Sequence, residues 1–245
     1  MTQEKRFGLS STTLRFIAMA FMLLDHMWAT LVPGNNWMTY IGRMAMPIFA
    51  FLIAEGYAHT RSVKNYKKRL FIFGLISEIP FNLMVSGSAF FIFHQNVMFT
   101  LLIGLYAIEA VERMKKNPAP GNLIKNVFIL MGLATLATIL FVDYNLMGVA
   151  TVVLFHITRK AKLGKLWQFA GMFFLNIVWH KGLMIPITLG SLQFEFSTQG
   201  FALFSLLLIW LYNGRKGSSN KAVQYFGYAF YPLHMIVLYL IWRLI

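Results

Sequence analysis

The chain has 245 residues, of which 58% are hydrophobic and 12% charged, with a mean hydropathy of +0.62. A soluble domain carries about 25% charged residues, so too little polar surface is present to cover a body in water, and the chain reads as one polytopic membrane domain over 1–245. Lys and Arg number 22 against 8 Asp and Glu, a net charge of +14, and cysteine is absent; the charge is assigned to membrane orientation and not to nucleic acid, while disulfides, thiolate metal sites and a cysteine nucleophile are excluded.

About 20 apolar residues cross a bilayer core. The polar stretch Met1–Ser10 leads into a first apolar span at 14–32, and with no small-residue cleavage site after it that span is expected to be retained. Further spans are predicted at 41–60, 70–86, 97–112, 127–142, 146–158, 166–182, 199–212 and 222–242. The segment 183–197 is read as re-entrant or interfacial, because Pro186 and Gly190 disfavour a regular helix. The fold class is therefore an all-α membrane bundle of about nine helices, eight to ten. Basic residues test the count. Lys5 and Arg6, the run from Arg61 to Arg69, Arg113 to Lys125, Arg159 to Lys165, and Arg215 to Lys221 hold 18 of the 22 cations, all on one side if the spans alternate. The intervening loops near 33–40, 87–96 and 143–146 contain no Lys or Arg. This pattern predicts a cytoplasmic N-terminus.

Ionisable side chains within spans cost roughly 2.5–3.5 kcal/mol each on insertion scales and mark cavities or partners. In span one, Arg15 and His26 are 11 residues apart, about three turns, and so project from one face about 16 Å apart along the axis. Asp25 is rotated about 100° from His26; it either flanks the same cavity or meets Arg43 from span two. A histidine accepts a proton from an amine or hydroxyl near neutral pH, and the bland alternative is helix packing through hydrogen bonds. No second histidine stands at i+3 or i+4 of His26, which argues against zinc, and no metal is expected. Span two closes with Glu55, Tyr57, His59 and Arg61, and the loop after it carries Tyr66 and Arg69. Arginine forks and tyrosine rings suit a phosphorylated nucleotide, although any cytoplasmic loop is also basic. In span three, Glu78 and Asn82 share a face beside Pro80, lining a cavity or satisfying carbonyls that the proline releases. Span nine pairs Pro232 with His234 about midway across.

These residues carry a resemblance. Leu14 to Ala18 with Met22 to His26, the run Ile41 to Leu52 continued by Glu55-Gly56-Tyr57, His59-Thr60-Arg61 and Tyr66 to Leu70, then Pro80-Phe81, Asn96 with Phe99-Thr100-Leu101, and Tyr231 to His234, are similar to the TraX family, named for an F-pilin acetylation protein. The resemblance is close over spans one to four and moderate in span nine; between about 105 and 220 it rests on hydropathy. The Arg15 to His26 interval also resembles the basic residue, ten-residue gap and histidine of membrane polysaccharide O-acyltransferases.

The resemblance implies acetyl transfer from acetyl-CoA to a membrane-associated acceptor, an amine in pilin, in the multi-pass setting of the bacterial inner membrane. On that reading His26 is the general base with Asp25 supporting it, and the donor is held by Arg15, Arg43, His59, Arg61 and Arg69, with Arg43 either stabilising the thioester oxyanion or neutralising Asp25. Glu78, Asn82 and His234 line the cavity. Lipid, acetyl-CoA and a pilin-like peptide, glycan or small-molecule acceptor are the expected partners. The rival class is a proton-coupled transporter or flippase that uses Asp25, Glu55 and Glu78 as a relay; a third is a structural membrane subunit whose basic loops dock a partner.

Overall fold

The computed structural model describes residues 7–180, 182–190, 192–218 and 220–245; Lys5 and Arg6 lie outside the described residues. Helix α1 (Ser11–Thr30) begins where the Ser10 hydroxyl accepts the Thr13 N–H at 3.1 Å, satisfying one of the donors a helix start leaves open. Helices α2 (Trp37–Gly42) and α3 (Ala45–His59) form one apolar run with a break at Arg43 and Met44. Pro47 explains the break. Its ring would clash with the Arg43 carbonyl one turn earlier in a continuous helix, but a proline is tolerated in the first turn of α3.

Helix α4 (Val63–Ser86) follows a Thr60–Ser62 turn, with Ser62 as its cap, and contains Pro80. Helix α5 (Val97–Lys116) is capped by Asn96, and α6 (Pro120–Ile139) starts with a proline whose missing N–H costs nothing in a first turn. Helix α7 (Asn145–Thr158) precedes α8 (Gly164–Phe173), which widens into a π-turn at Phe174–Trp179. A 3₁₀ stretch, Thr198–Phe204, leads into the short α9 (Ser205–Trp210), and α10 (Lys221–Leu244) closes the bundle.

Each of the nine apolar stretches predicted from hydropathy coincides with a helical element. Among the described residues, four runs are long and apolar enough to cross a membrane by length and composition: Trp37–His59, Val63–Ser86, Pro120–Ile139 and Lys221–Leu244. The segment 183–197 departs from the all-helical expectation. It is an antiparallel hairpin of β1 (Met184–Leu189) and β2 (Leu192–Ser197), with Met184 opposite Ser197 and Leu189 opposite Leu192. Its β-branched and aromatic residues suit a pleated ribbon; Gly190 supplies the left-handed turn conformation at φ 62°, and a two-stranded ribbon has the free edge that Pro186 requires.

Helix α1 is packed on α2, α3 and α10, while α10 also packs on α4 and α3 on α7. Leu14, Ala18, Met22, Ile48, Phe51, Phe155, Leu206 and Met235 form its apolar core. Leu75 and Ile79 on α4, Phe128 on α6, and Leu233 and Val237 on α10 turn outward, as expected of surfaces solvated by lipid. The two ends are clasped differently. At one, the Leu9 and Ser11 N–H groups donate to the carbonyls of Leu211 and Arg215; at the other, residues 95 and 142 form a short bridge.

Candidate active site

The first helix organises the site. Arg15, Met19, Met22 and His26 recur at spacings of four, three and four, which places them down one face. At its N-terminal end that face opens on a cavity of about 660 Å³, with Arg15, His59, Tyr66, Arg69, Lys216 and Tyr228 in its wall. The local folding follows from the turn after α3. Thr60 leaves the helix in an extended conformation and Ser62 caps α4, so the chain doubles back and its first turns bring Tyr66, against Gly56 of α3, and Arg69 into the cavity wall with Arg15. The Arg69 guanidinium lies 5.6 Å from the Tyr66 ring, a cation over an aromatic face. Below this mouth the space narrows to an apolar slot of about 150 Å³ walled by Met19, Met22, Leu52, Leu101, Phe230 and Tyr231. Arg15, Leu52, Tyr66 and Tyr228 belong to both walls, so mouth and slot adjoin.

One turn beyond Met22 on α1, and one turn beyond Phe230 on α10, stand His26 and His234. The His26 Nδ1 and His234 Nε2 atoms are 2.8 Å apart, their ring planes 12° from parallel, and Phe230 stacks on His234 at 4.8 Å between ring centres. The second nitrogen of His234, Nδ1, is 2.8 Å from the Phe230 carbonyl. A carbonyl only accepts, so with both rings neutral His234 Nδ1 carries the proton and its Nε2 is bare. His26 Nδ1–H must then be the donor between the rings. This leaves the lone pair of His26 on Nε2. Two hydrogen bonds thus select the tautomer of His26, which stands one turn past the last α1 residue of the slot wall and is not itself in that wall.

Asp25 does not support His26, contrary to the expectation from their adjacency. Its Oδ1 accepts from Arg43 Nη2 at 2.9 Å and from the Thr39 hydroxyl at 2.6 Å, and the same Arg43 nitrogen donates to Thr39 at 2.9 Å. The 100° rotation that separates neighbours on a helix turns Asp25 toward α2. Arg43 is likewise corrected: it is not in the wall of the mouth or the slot, and of its two expected roles the observed one is the pairing with Asp25. Of the other residues expected at the donor, Arg15, His59 and Arg69 come together in the mouth, whereas Arg61, exposed on the turn, does not line it.

Glu78, Asn82 and His234, expected to line the cavity, are not in the wall of the mouth or the slot. Glu78 accepts from the Asn96 side-chain amide at 2.5 Å, and Asn82 donates to the Ala89 carbonyl at 3.4 Å, so both tie α4 to the loop before α5. Glu55, 8% exposed, pairs with Arg159 at 2.5 Å. The three carboxylates of the relay hypothesis therefore have separate partners: Arg43 for Asp25, Arg159 for Glu55 and Asn96 for Glu78. Among the described residues, no three His, Asp or Glu side chains group to hold a metal ion.

The contributions of Lys216 and Tyr228 to the mouth, and of Arg159 to Glu55, escape sequence reading. A signal for the histidine pair does exist, because His26 and His234 both lie well inside apolar spans, where a lone imidazole needs a partner.

The family model described as "TraX protein" matches residues 10–242. The chain is 27% identical over 249 residues to the "Probable fimbrial assembly protein FimC, serogroup H1" of Dichelobacter nodosus, and the alignment covers 96% of both chains. No solved structure matches the chain.

Proposed function

Because the chain belongs to the TraX family, we propose that it is a nine-span acyltransferase of the bacterial inner membrane with a cytoplasmic N-terminus, moving an acetyl group from cytoplasmic acetyl-CoA to a membrane-associated amine or hydroxyl. The observation that carries this reading is the sequence of environments along α1: a cationic mouth at Arg15, an apolar slot past Met19 and Met22, and an imidazole with a bare nitrogen one turn further on. The name of the Dichelobacter nodosus relative supports a fimbrial, pilin-like acceptor.

Arg15, Arg69, Lys216 and His59 would hold the donor's pyrophosphate, the guanidinium forks donating to its oxygens. The pantetheine arm would follow the slot over the about 16 Å of helical rise from Arg15 to His26. The reaction then needs a base. His26 Nε2 takes a proton from the acceptor as its nitrogen or oxygen attacks the thioester carbonyl. The tetrahedral adduct collapses with loss of the CoA thiolate, to which the imidazolium returns the proton. His234 steadies the imidazolium by accepting from His26 Nδ1–H. With no cysteine in the chain, direct transfer requires no thiol-acyl intermediate.

The test is transfer by the full chain in lipid nanodiscs. His26→Gln is expected to bind acetyl-CoA with unchanged affinity and to lose transfer by about 10²–10⁴-fold, the range of general acid-base catalysis. Wild-type transfer by that variant would remove His26 from the chemistry, and failure of the wild-type chain to bind CoA at all would end the acyltransferase reading.

A further inference from the structure

Beside the mouth lies a second cationic feature that the reading above leaves unused. The turn between α7 and α8 carries Arg159, Lys160 and Lys162, and the first turn of α8 carries Lys165. The α7–α8 turn lines two adjoining spaces of about 640 and 730 Å³, both bounded by Glu55 and Tyr212, which also bound the mouth. Arg159 is held at this rim. Its Nε and Nη2 atoms donate to the two oxygens of Glu55, at 2.5 and 3.4 Å, and Glu55 in turn is buried at the end of α3. Lys165 is committed to the Trp210 ring at 5.6 Å. Among the described residues, Lys160 and Lys162 have no carboxylate partner, and both are exposed.

The cations round this rim therefore form two groups. Arg15, Arg69 and Lys216 occupy the mouth and Arg159, Lys160 and Lys162 the turn, with Tyr212 and the Arg159-paired Glu55 in the wall that the two share. A single phosphate would use one group and leave the other self-repelling. A ligand with two anionic groups joined by a sugar would use both. The nucleotide of coenzyme A has that form: a pyrophosphate on one side of the ribose and a phosphomonoester on its 3′ oxygen.

We infer that the α7–α8 turn, through Arg159, Lys160 and Lys162, receives the 3′-phosphomonoester of the acyl donor, so that this protein discriminates coenzyme A from 3′-dephospho-coenzyme A. The inference rests on the acyl-CoA reading of the mouth and adds the subsite that reads the donor's second phosphate. A dianionic monoester beside an arginine held by a carboxylate, with two exposed lysines, makes charge-assisted bonds that the dephospho form forgoes. The exposed setting makes the preference dependent on ionic strength.

The experiment titrates both nucleotides into the purified full chain in zwitterionic nanodiscs, for the wild type and for the double variant Lys160→Ala/Lys162→Ala. Both changes are at exposed positions and spare the Arg159 pair with Glu55. The wild type is expected to bind coenzyme A about tenfold more tightly than its dephospho form at low salt, a difference of about 1.4 kcal/mol. The double variant is expected to bind both with the wild-type affinity for the dephospho form. Equal wild-type affinities overturn the inference while leaving the acyl-CoA reading intact. So does a double variant that weakens both nucleotides equally, or one that keeps the discrimination and loses only binding to anionic lipid vesicles. No binding of either nucleotide to the wild type fails the underlying reading instead.

Discussion

Replacing Gly56 with alanine tests the shared wall of mouth and slot. A Cβ at this position would stand 2.7 Å from the Tyr66 hydroxyl oxygen and 3.0 and 3.1 Å from two ring carbons. Ordinary contact begins near 3.4 Å, so the ring must retreat by about 0.7 Å. Because the end of the tyrosine moves only with its rigid ring, and α3 is packed against α1, retreat is toward the open space that Tyr66 bounds on both sides. Overpacking of this kind costs about 1–3 kcal/mol in a packed interior. Here the empty protein relieves part of that strain by moving Tyr66 into the space, and a ligand must push it back. Donor affinity is therefore expected to fall by about 1–2 kcal/mol, roughly five- to thirtyfold, with little loss of stability. Gly132→Ala on α6 is the control, since nothing lies within 4 Å of its added Cβ and it is in the wall of neither mouth nor slot. Calorimetric titration of acetyl-CoA into both variants, alongside thermal unfolding in detergent, reads the two terms separately. Wild-type affinity in Gly56→Ala, or an equal loss in Gly132→Ala, would refute the placement of the donor between Tyr66 and Arg15.

His234→Phe removes the acceptor for His26 Nδ1–H and is expected to slow transfer about 5- to 150-fold, the equivalent of about 1–3 kcal/mol for an unsatisfied buried donor, with donor affinity unchanged; His234→Gln, whose amide oxygen again accepts, should recover part of the rate, and a full rate in the phenylalanine variant would deny His234 a positioning role. Arg43→Ala strands the Asp25 carboxylate, and its cost of about 3–5 kcal/mol should be largely removed in Asp25→Leu/Arg43→Met, as measured by thermal denaturation in detergent; a double variant no more stable than the single would show that the pair is not the cause. In the loop before α5, His94 donates to Asp143 at 3.4 Å, and that hydrogen bond, together with the charges of Asp143 and Glu78, raises its pKa above the ordinary histidine value despite partial burial. A raised folded-state pKa contributes stability in full below about pH 6.5, and that contribution is lost as the pH rises through the folded value. The wild-type melting temperature should thus fall more than that of His94→Gln from below pH 6.5 to above the folded value, and parallel profiles would remove the effect.

Hydropathy made the helical stretches legible because lipid selects apolar side chains over the full length of a helix. The α2–α3 break was less visible, since Pro47 reads as part of an uninterrupted apolar run until its ring is set against the Arg43 carbonyl. The hairpin at 183–197 was half legible: Pro186 and Gly190 signalled the absence of a helix but not the strand register. Within the site, Arg15 and His26 were aligned by helical period alone. Of the two places the sequence leaves Asp25, beside the His26 cavity or against Arg43, only the packing of α1 on α2 selects the second, and Arg61 is turned away because the extended Thr60 ends the helical periodicity of α3. The partnership of His26 with His234 depends on the packing of α1 against α10, a contact between residues 208 positions apart that no local pattern encodes.

That long separation has a consequence for biogenesis. The imidazole on the opening helix acquires its partner only when the closing helix has inserted and docked, so a chain arrested part-way through synthesis lacks the paired base. Two separately expressed fragments, divided in the loop after α9, should regain the pairing only when both are present in one membrane, and a cross-link between cysteines introduced beside His26 and His234 would report the moment of completion.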